Sequence, residues 1–525
     1  MSRKEAEGGI VRRDFIKGAA MGAGAATMMG LGAIKGEAAA APRKWDEEAD
    51  VVIVGYGLAG AVAAIAAHDG GAKVLILEKM AKGKEGGNSR CSGNNAYLTD
   101  NGKDALAYLK AMAAGHLHGL SDELFAEWAQ ETVENKAILE KMGFKVEVNR
   151  PAEHTDLPGA STQAMYTVMK EGLPQRGGLF QVFAREVAAR KIPVRYQTPA
   201  KKLVSAGNRR EVRGVIADNK GKEVTVKARK GVILTCGGFE FNAAMLANYG
   251  RAPVVHLGSP ANTGDGILMA MELGADLWHM NNIMGPFQPG FLTGDLGPEF
   301  SEIPFGLQSV PGKTFLWTDK YGKRFMDESR RHQHGFAWDA INYYDGIKIE
   351  YPRIPWWIVF DEDARKKGPL ATSGWAVEFS GYEWSKDNSA EVAKGWILKG
   401  DTPDELAAAM KLDPVVLRKT IERFNSDAGA GGDKEFGRKA GSMAPLKGPF
   451  YAIKSWPASV NTQGGPKRNQ KGQIVDVWGK AIPRLYSGGE LGSFYAWLYQ
   501  GGGSMSECLG ARSAGKNAAA EASWK

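Results

Sequence analysis

Cysteine is nearly absent from this sequence, and the few cysteines present stand far apart. The chain has 525 residues but only three cysteines, Cys91, Cys236 and Cys508, and none belongs to a CxxC or CxxCH motif. Disulfide frameworks, iron–sulfur clusters and covalent c-type haem all require closer spacing. We therefore expect none of these groups and no metal site in this chain, so any electrons must be exchanged with a partner.

Excess charge of one sign is also missing from most of the chain. There are 67 Lys and Arg residues against 59 Asp and Glu, a formal charge of +8, and residues 1–45 alone carry +4 of it. The remainder is close to neutral, so we expect neither nucleic acid nor an anionic membrane as partner. A chain of this length exceeds one ordinary hydrophobic core, and we expect two folding units.

The N-terminal region lacks a hydrophobic run long enough for a membrane anchor. Residues 18–34 are rich in glycine and alanine, whereas a transmembrane helix needs about 20 strongly apolar residues. This run follows the paired Arg12 and Arg13 of "VRRDFIKG" and precedes "EAAAAP". The pattern resembles a twin-arginine export signal and predicts cleavage near residue 40, with the mature protein soluble in the periplasm or outside the cell envelope. The alternative is a disordered basic arm.

A dinucleotide-binding fingerprint follows this N-terminal region. The apolar run "ADVVIVG" ends in three spaced glycines, an Ala-rich helix follows, and a second strand, "AKVLILE", ends in Glu78. In this order Gly55 makes a tight turn, Gly57 lets backbone approach a pyrophosphate, and Glu78 can accept hydrogen bonds from ribose hydroxyls. We predict that the cofactor contacts Gly55, Gly57, Leu58, Ala59, Gly60, Glu78 and Lys79.

A second loop of small polar residues distinguishes FAD from a nicotinamide cofactor. The segment "EKMAKGKEGGNSRCSGNNAYL" resembles the fumarate reductase and succinate dehydrogenase flavoprotein family, whose members carry "EK", "GGNT/S" and "SGG" around FAD. Four later segments support the resemblance: "GVILTCGGFE", "NTGDGILMA", "DKYGKRFMDE" and "LYSGGELG". The resemblance therefore extends from Ala49 to the C-terminus.

The resemblance implies that FAD is bound without a covalent bond. Relatives that attach FAD covalently use a histidine in the loop after Ser89, where this chain has Arg90 and Cys91. The resemblance also implies that Glu490 holds the ribityl chain and that Asp265 lies near the diphosphate and flavin. The full set of further FAD contacts that it implies is Gly87, Asn88, Ser89, Ser92, Gly93, Gly237, Asp265, Glu490, Ser504 and Ser506.

The same resemblance implies an α/β fold. We expect a Rossmann-like FAD-binding domain of the glutathione-reductase type with an inserted α+β capping domain. The expected order is a signal and linker at 1–45, the FAD-binding domain at 46–285 and 458–525, and the capping or substrate domain at 286–457. Within the cap, Thr402, Pro403 and Glu405 predict a helix start, and most of its tryptophans are expected in the core.

The substrate positions depart from those of fumarate reductases. Those enzymes hold a dicarboxylate with arginines and histidines, because two buried negative charges must be paired. At the corresponding positions this chain has Pro286, Gln308 with Pro311, Asn461 and Gln500. These four differences in one pocket argue against fumarate or succinate as substrate.

The last loop resembles another branch of the family, the 3-ketosteroid dehydrogenases. In their "YPGAG" loop a tyrosine hydroxyl and the N–H of the last glycine bind the substrate carbonyl, and Tyr499 and Gly503 have the same spacing here. Two such donors would stabilise an enolate. A tyrosine that merely packs near the flavin is the alternative.

The proton-transfer residue is located from the segment "MDESRRHQHG". In both branches a catalytic residue lies four positions beyond the glutamate that corresponds to Glu328, which points here to His332. Histidine can exchange a proton near neutral pH. A shift of one residue would select Arg331 instead, so both are candidates.

Together these features predict an FAD-dependent oxidoreductase that acts on CH–CH groups. It would transfer a hydride between flavin N5 and the β-carbon of a C=C–C=O unit, in a neutral cyclic substrate that is steroid-like or aromatic-derived. The expected partner is a separate cytochrome or quinone-linked electron donor or acceptor, while reaction direction and oligomeric state stay open. The alternatives are a fumarate- or urocanate-type enoate reductase and a flavin electron-transfer subunit without its own turnover.

Overall fold

A computed structural model of the protein describes residues 42, 44–113, 121–174, 176–206, 210–250, 252–284, 288–293, 303–306, 310–329, 338–371, 382–494 and 499–524. Residues 1–41, with the predicted export signal, lie outside these ranges. Within the ranges no helix is long and apolar enough to cross a membrane. The same ranges contain no group of three or more His, Cys, Asp or Glu side chains placed to hold a metal ion.

An eight-stranded sheet forms the centre of the first folding unit. Five strands run parallel in the spatial order Ala481–Ser487, Lys222–Leu234, Glu47–Val54, Val74–Leu77 and Val194–Arg195. The antiparallel strands are Gln473–Val475, Ala200–Ala206 and Glu211–Asn219. The first two strands of the chain confirm the strands predicted from the two apolar runs of the fingerprint. They are buried on both faces, as is usual for parallel strands covered by helices.

Helices cover this sheet. The Ala-rich segment forms Leu58–Asp69, as predicted, and packs against the C-terminal helix Arg512–Ala520. The other helices of the unit are Gly87–Cys91, Gly102–Met112, Asp122–Lys141, Gly178–Ala189, Ala243–Tyr249, Asp265–Glu272 and Gly503–Gly510, with a 3₁₀ turn at Ala160–Thr162. Two small sheets complete it, one of Asn95–Leu98, Lys145–Pro151 and Ala164–Met169 and one of Leu277–Trp278 and Gly465–Pro466.

A second, seven-stranded sheet is built around the strand Phe450–Ser459. Its other strands are Val255–His256, Gln288–Thr293, Ile303–Gly306, Phe315–Thr318, Trp356–Asp361 and Ile397–Gly400. Most of this sheet lies in the segment predicted as the cap, but its central strand ends two residues beyond position 457. The strand Val255–His256 joins it from before position 286. The domain limits at 286 and 458 therefore stay predictions.

The helix start predicted in the cap is confirmed. Thr402 is the N-cap of Pro403–Met410, and its hydroxyl accepts a hydrogen bond from the Glu405 N–H at 3.2 Å. Glu405 Oε2 accepts from the Asp401 N–H at 2.8 Å, one residue before the N–H that a capping box uses. The remaining helices of this region are Trp338–Ile341, Glu362–Lys366, Ser389–Ala393 and Pro414–Gly429, with a 3₁₀ turn at Ala440–Ser442.

Tryptophan burial in the cap also follows the prediction. The indole groups of Trp317, Trp356, Trp357 and Trp384 are buried. Trp317 and Trp356 pack into one apolar cluster, whereas Trp357 belongs to a different cluster. These side chains fill the core around the second sheet. Trp375 lies outside the described residues.

A buried ion-pair network fixes the end of the "GKRFMDE" segment. Arg324 donates to both carboxylate oxygens of Glu328, at 2.7 and 2.8 Å, and to Asp433 at 2.9 Å. Arg438 donates to Glu328 at 3.1 Å and to the carbonyl of Phe315 at 2.7 Å. The four charged side chains are at most 5% exposed. The network therefore anchors the chain just before Arg331 and His332.

Glu328→Ala is expected to lower the free energy of unfolding by about 3–5 kcal/mol, because it leaves two buried guanidinium groups without their shared carboxylate. Denaturant unfolding followed by tryptophan fluorescence measures this loss. The control is Glu435→Ala, which removes a surface partner of Arg423; these side chains are 42% and 59% exposed. Such exposed pairs contribute little, so equal stability of the two variants would contradict the structural role of Glu328.

Candidate functional site

A cleft lies where the parallel strands of the first sheet end. It spans about 780 Å³, part of which is open to solvent, and its walls include Val54, Leu77 and Thr235 at the ends of three neighbouring strands. Ligands of open parallel sheets bind at this edge. The cleft is also lined by twelve of the residues predicted to contact the cofactor: Gly55, Gly57, Leu58, Ala59, Glu78, Lys79, Gly87, Asn88, Ser89, Gly237, Asp265 and Glu490.

The start of the helix Leu58–Asp69 contributes to the cleft wall. Gly55 has a φ of +102°, and a Cβ atom there would lie 2.6 Å from the carbonyl oxygen of Thr235. The helix N-cap is Gly57, which offers no capping side chain. The Leu58 N–H donates to Ser89 Oγ at 3.2 Å, so the second loop is tied to the helix start. A helix N-terminus in this position attracts a pyrophosphate.

Glu78 is held in one orientation at the end of the second strand. Its two carboxylate oxygens accept hydrogen bonds from the backbone N–H groups of Tyr56, at 2.8 Å, and Met80, at 2.7 Å. Burial raises the pKa of this carboxyl group, while the two N–H donors act in the opposite direction. A carboxylate fixed in this way can accept the hydroxyl hydrogens of a ribose.

Lys79 and Asp265 come from distant segments and form an ion pair at the cleft. Lys79 Nζ lies 2.8 Å from Asp265 Oδ2 and 2.9 Å from Thr263 Oγ1. Thr263 also donates to Asp265 Oδ1 at 2.8 Å. Both charged residues are predicted from the sequence to contact the cofactor. The structure shows that they bind each other. Lys79 is the one cation among the described residues that line the cleft.

Asn88 connects two buried carboxyl groups. Its amide nitrogen donates to Glu240 Oε1 at 2.8 Å and to Glu490 Oε2 at 3.1 Å, and its oxygen accepts from the Ser259 N–H at 2.7 Å. The sequence-based prediction included Asn88 and Glu490 but missed Glu240. The available signal was its position two residues after "GG", in the loop that follows the parallel strand Lys222–Leu234.

Five predicted cofactor residues do not line the cleft: Gly60, Ser92, Gly93, Ser504 and Ser506. Gly60 allows close packing, since a Cβ atom there would lie 2.1 Å from the Gly55 carbonyl oxygen. Ser92 Oγ accepts from the Asn94 N–H at 3.2 Å, and the Ser506 hydroxyl donates to the Tyr97 carbonyl. Cofactor contact by these residues stays a prediction.

Several lining residues were not predicted from the sequence, among them Tyr56, Asn262 and two cysteines. The Cys236 thiol donates to the Val54 carbonyl at 3.4 Å, and burial raises its pKa to about 12. Burial likewise raises the pKa of the Cys508 thiol. Both sulfurs therefore stay protonated at neutral pH and act as small apolar groups rather than nucleophiles.

Tyr499 is buried next to the last loop. Its side chain belongs to an aromatic cluster with Tyr97, Tyr108 and Trp128, and its hydroxyl oxygen accepts from the Ser504 N–H at 3.3 Å. Burial raises the pKa of this phenol, so it is neutral and can act as a donor. The Gly503 N–H donates to the Gln500 carbonyl at 2.9 Å, and this bond would have to open before that N–H could bind a substrate carbonyl.

Two residues at the substrate positions of fumarate reductases are committed to other contacts. Gln500 is fully buried, and its side-chain oxygen accepts from the Tyr108 hydroxyl at 2.6 Å and the Glu153 N–H at 3.1 Å. The Asn461 amide nitrogen donates to Glu490 and, at 2.8 Å, to Ser504 Oγ. Neither side chain carries a charge that could bind a carboxylate. Pro286 and Gln308 lie outside the described residues.

The two candidates for proton transfer, Arg331 and His332, lie outside the described residues, so their roles stay predictions. The nearest described feature is the Glu328 network, which holds the preceding segment.

The chain belongs to the family described as "FAD binding domain", whose model matches residues 50–505. The cleft fits this cofactor, since the glycine turn, the helix N-terminus and the fixed Glu78 carboxylate suit the pyrophosphate and adenosine ribose of FAD. FAD is therefore the cofactor, as the sequence predicted.

The relatives include a fumarate oxidoreductase, a 3-oxosteroid dehydrogenase and an acrylate reductase. The chain is 29% identical over 500 residues to an NADH:fumarate oxidoreductase of Klebsiella pneumoniae, covering 91% of this chain and 48% of that protein. It is 32% identical over 307 residues to a 3-oxosteroid 1-dehydrogenase of Mycolicibacterium smegmatis, covering 54% and 50%. An acrylate reductase flavoprotein subunit of Shewanella woodyi is 29% identical, with 97% of both chains covered. The chain thus spans about half the length of the first two relatives.

Solved structures share the same fold. A 3-ketosteroid Δ1-dehydrogenase from Sterolibacterium denitrificans superimposes with a TM-score of 0.74 at 21% identity, covering 90% of this chain and all of the other. A flavocytochrome c3 fumarate reductase gives a TM-score of 0.66 at 24% identity, covering 99% and 82%. The predicted α/β fold class of this flavoprotein family is therefore confirmed.

Proposed function

We propose that this protein is an FAD-dependent oxidoreductase acting on a C=C bond conjugated to a carbonyl, in a neutral cyclic substrate that is steroid-like or aromatic-derived. The observation that carries the proposal is the replacement of cationic substrate ligands by neutral, internally bonded side chains at Gln500 and Asn461. If a dicarboxylate bound there, its two negative charges would lose their hydration, and these positions offer no cation to pair with them, which is costly. A neutral carbonyl compound needs only hydrogen-bond donors.

The residues of the chain would divide the work between cofactor and substrate. FAD supplies hydride exchange at N5 when it is bound. Glu78 would bind the adenosine ribose and Glu490 the ribityl chain. The Tyr499 hydroxyl would donate to the substrate carbonyl, and the Ser504 N–H that it accepts polarises the O–H bond and strengthens this donation.

The proton at the α-carbon would be handled by His332, with Arg331 as the alternative. Histidine suits a step that runs near neutral pH in either direction. The Gly503 N–H would add a second donor to the carbonyl once its bond to Gln500 opens. The Gly503 assignment comes from the resemblance to ketosteroid dehydrogenases, and the His332 assignment comes from the position that both branches of the family share.

Export and partners form a separate part of the proposal. The twin-arginine pattern supports a folded, FAD-loaded protein outside the cytoplasm, with a cytochrome or quinone-linked partner that supplies or removes electrons. Reduction of the C=C bond and its formation are both compatible with such a partner.

An enoate reductase is the second candidate, because two relatives are named as fumarate and acrylate reductases. It requires a cation for the substrate carboxylate, for which Arg331 is the available candidate. A flavin electron-transfer subunit is the third candidate, in which Tyr499 would be a packed aromatic residue without a catalytic role.

Anaerobic reoxidation of the photoreduced holoenzyme separates these candidates. Reduced protein is mixed with cyclic enones, with monocarboxylic enoates including urocanate, and with fumarate, while the flavin absorbance is followed. We expect cyclic enones to reoxidise the flavin. Reoxidation by carboxylates alone would overturn the neutral-substrate proposal, and reoxidation by none of them, with oxidised flavin also unbleached by a saturated 3-ketosteroid, would favour the electron-transfer subunit.

A further inference from the structure

Glu240 and Glu490 form a buried carboxyl pair beside the flavin cleft. They approach the same amide group, the Asn88 side chain, which donates one hydrogen bond to each. Glu240 is fully buried, and Glu490 is 9% exposed and lines the cleft. The amide cannot be reversed without cost, because its oxygen accepts from the Ser259 N–H at 2.7 Å. The two acids are therefore joined through one fixed bridge.

Within the described part of the chain, the side chains that donate to this pair are uncharged. Glu240 accepts from the Asn262 amide at 2.6 Å and from the Thr462 hydroxyl at 3.3 Å, in addition to Asn88. Glu490 accepts from the Asn461 amide. Neutral donors orient a carboxylate, but they do not cancel its charge.

The surroundings leave little space for a counterion. A Cβ atom at Gly238 would lie 2.5 Å from Glu240 Oε2, and one at Gly258 would lie 3.1 Å from Glu240 Oε1. Backbone thus packs closely around this carboxyl group. Two negative charges in such a site would repel each other strongly at low dielectric.

Among the described residues, the charged and titratable groups on neighbouring elements do not neutralise the pair. Arg468 donates to the carbonyls of Gly489 and Leu491, which flank Glu490, but its charge is paired with Glu507 at 2.5 Å. Lys79, on the cleft wall, is paired with Asp265. Two further groups sense Glu490, and both are neutral acids: Tyr499 and Cys508.

We propose that Glu240 and Glu490 form a shared proton-binding site that takes up one proton from solvent when the flavin in the adjoining cleft accepts two electrons. The reductant supplies both electrons, one proton goes to flavin N5, and the second proton goes to the carboxyl pair. Where the oxidised pair is ionised, the negative charge added to the cofactor is thereby balanced by the loss of one carboxylate charge. The inference rests on FAD as cofactor and is independent of the proposed substrate.

The ionisation of Glu240 sets the pH range in which this uptake is visible. Burial, followed by the Glu490 charge, raises the pKa of Glu240 to about 8. Below that pH the pair already holds its proton in the oxidised protein, so reduction adds none. Above that pH the oxidised pair has lost the proton. The negative charge that the flavin gains on reduction raises the pKa of the pair, so the pair binds a proton again. Uptake should therefore begin as the pH rises through about 8.

Spectroelectrochemical titration of the holoenzyme against pH tests the proposal. One additional proton changes the two-electron equilibrium constant tenfold per pH unit, which corresponds to about 30 mV per pH unit. Above about pH 8, we expect the reduction potential of the native flavin to fall by about 30 mV more per pH unit than it does below that pH. Ionisation of the reduced flavin itself would have the opposite effect, because it makes the potential less dependent on pH. Glu240→Gln should lose the steeper segment.

Glu131→Gln is the matched control. Glu131 is also buried, and burial raises its pKa to about 7, while the charge of Arg512 acts in the opposite direction. Its carboxylate accepts from the Ser513 hydroxyl at 2.6 Å. This variant should keep the steeper segment. A native protein without that segment, a Glu240→Gln variant that retains it, or a Glu131→Gln variant that loses it would each overturn the proposal.

A second measurement uses only the native protein and so does not depend on the folding of a variant. Above about pH 8, the reduced-minus-oxidised infrared spectrum of the native holoenzyme should contain the carbonyl stretch of a newly protonated carboxyl group. This band should shift in D₂O. A spectrum without this band would contradict the proposal. Neither measurement uses a substrate, so failure of the proposed function would appear separately, in the reoxidation experiment.

Discussion

Gly60→Val is expected to yield a protein that retains no FAD. Gly60 lies in the first turn of the helix whose N-terminus forms the cleft wall, and a Cβ atom there would lie 2.1 Å from the Gly55 carbonyl oxygen and 2.9 Å from Thr235 Oγ1. Backbone on the opposing side cannot move aside as a flexible side chain could. The helix must therefore shift away from the strand end, and this shift disrupts the pyrophosphate site. The added methyl groups also overpack a tight core and lower the stability of the fold.

The ratio of flavin to protein absorbance after purification measures this effect. Gly441→Val is the control, because a Cβ atom at Gly441 meets nothing within 4 Å. That variant should carry as much flavin as the native protein. A Gly60→Val variant with a native flavin content would show that the helix start does not need the close approach seen in the structure.

Tyr499→Phe is expected to slow flavin reoxidation by a cyclic enone about 100-fold or more, because loss of one donor to a developing oxyanion typically costs about 2.7–4 kcal/mol of barrier. The aromatic ring remains, so packing in its buried cluster and FAD content should stay native. Anaerobic stopped-flow mixing of photoreduced variant and enone gives the rate of the single turnover.

Tyr97→Phe provides a matched control from the same aromatic cluster. The Tyr97 hydroxyl is also buried and donates to Gln163 at 2.5 Å, but it is not proposed to contact substrate. Its reoxidation rate should stay within about threefold of the native rate, since a neutral hydrogen bond contributes mainly to stability. Native rates for Tyr499→Phe would leave Tyr499 as a packed aromatic residue without a catalytic role.

The cofactor fold could be predicted from the sequence because its signals are local. The strand, glycine turn, helix and second acidic strand end occupy one continuous segment, and each part follows from backbone sterics or strand burial. Glu78 and Asp265, both predicted to contact the cofactor, line the cleft, and both lie in recognisable patterns near a strand end or a helix start. The Thr402 helix start was predicted for the same reason.

The rest depends on contacts between distant segments. Asn88 meets Glu240 and Glu490 across 152 and 402 positions of sequence, and nothing in either local pattern indicates that the two acids share one amide. The loss of arginine at Gln500 was visible in the sequence, but its hydrogen bonds to Tyr108 and Glu153 were not. The parallel strand Val255–His256 in the second sheet is another pairing that only the fold supplies.

A crystal structure of the oxidised holoenzyme with a saturated cyclic ketone would test the proposed site most directly. We expect FAD in the cleft between Glu78 and Glu490, and the ketone oxygen within about 3.2 Å of the Tyr499 hydroxyl oxygen. The ring carbon β to the carbonyl, which exchanges the hydride, should face flavin N5. A ligand pose in which the carbonyl oxygen is remote from Tyr499, or a preference for a dicarboxylate held by Arg331 or another cation, would contradict the neutral-carbonyl site.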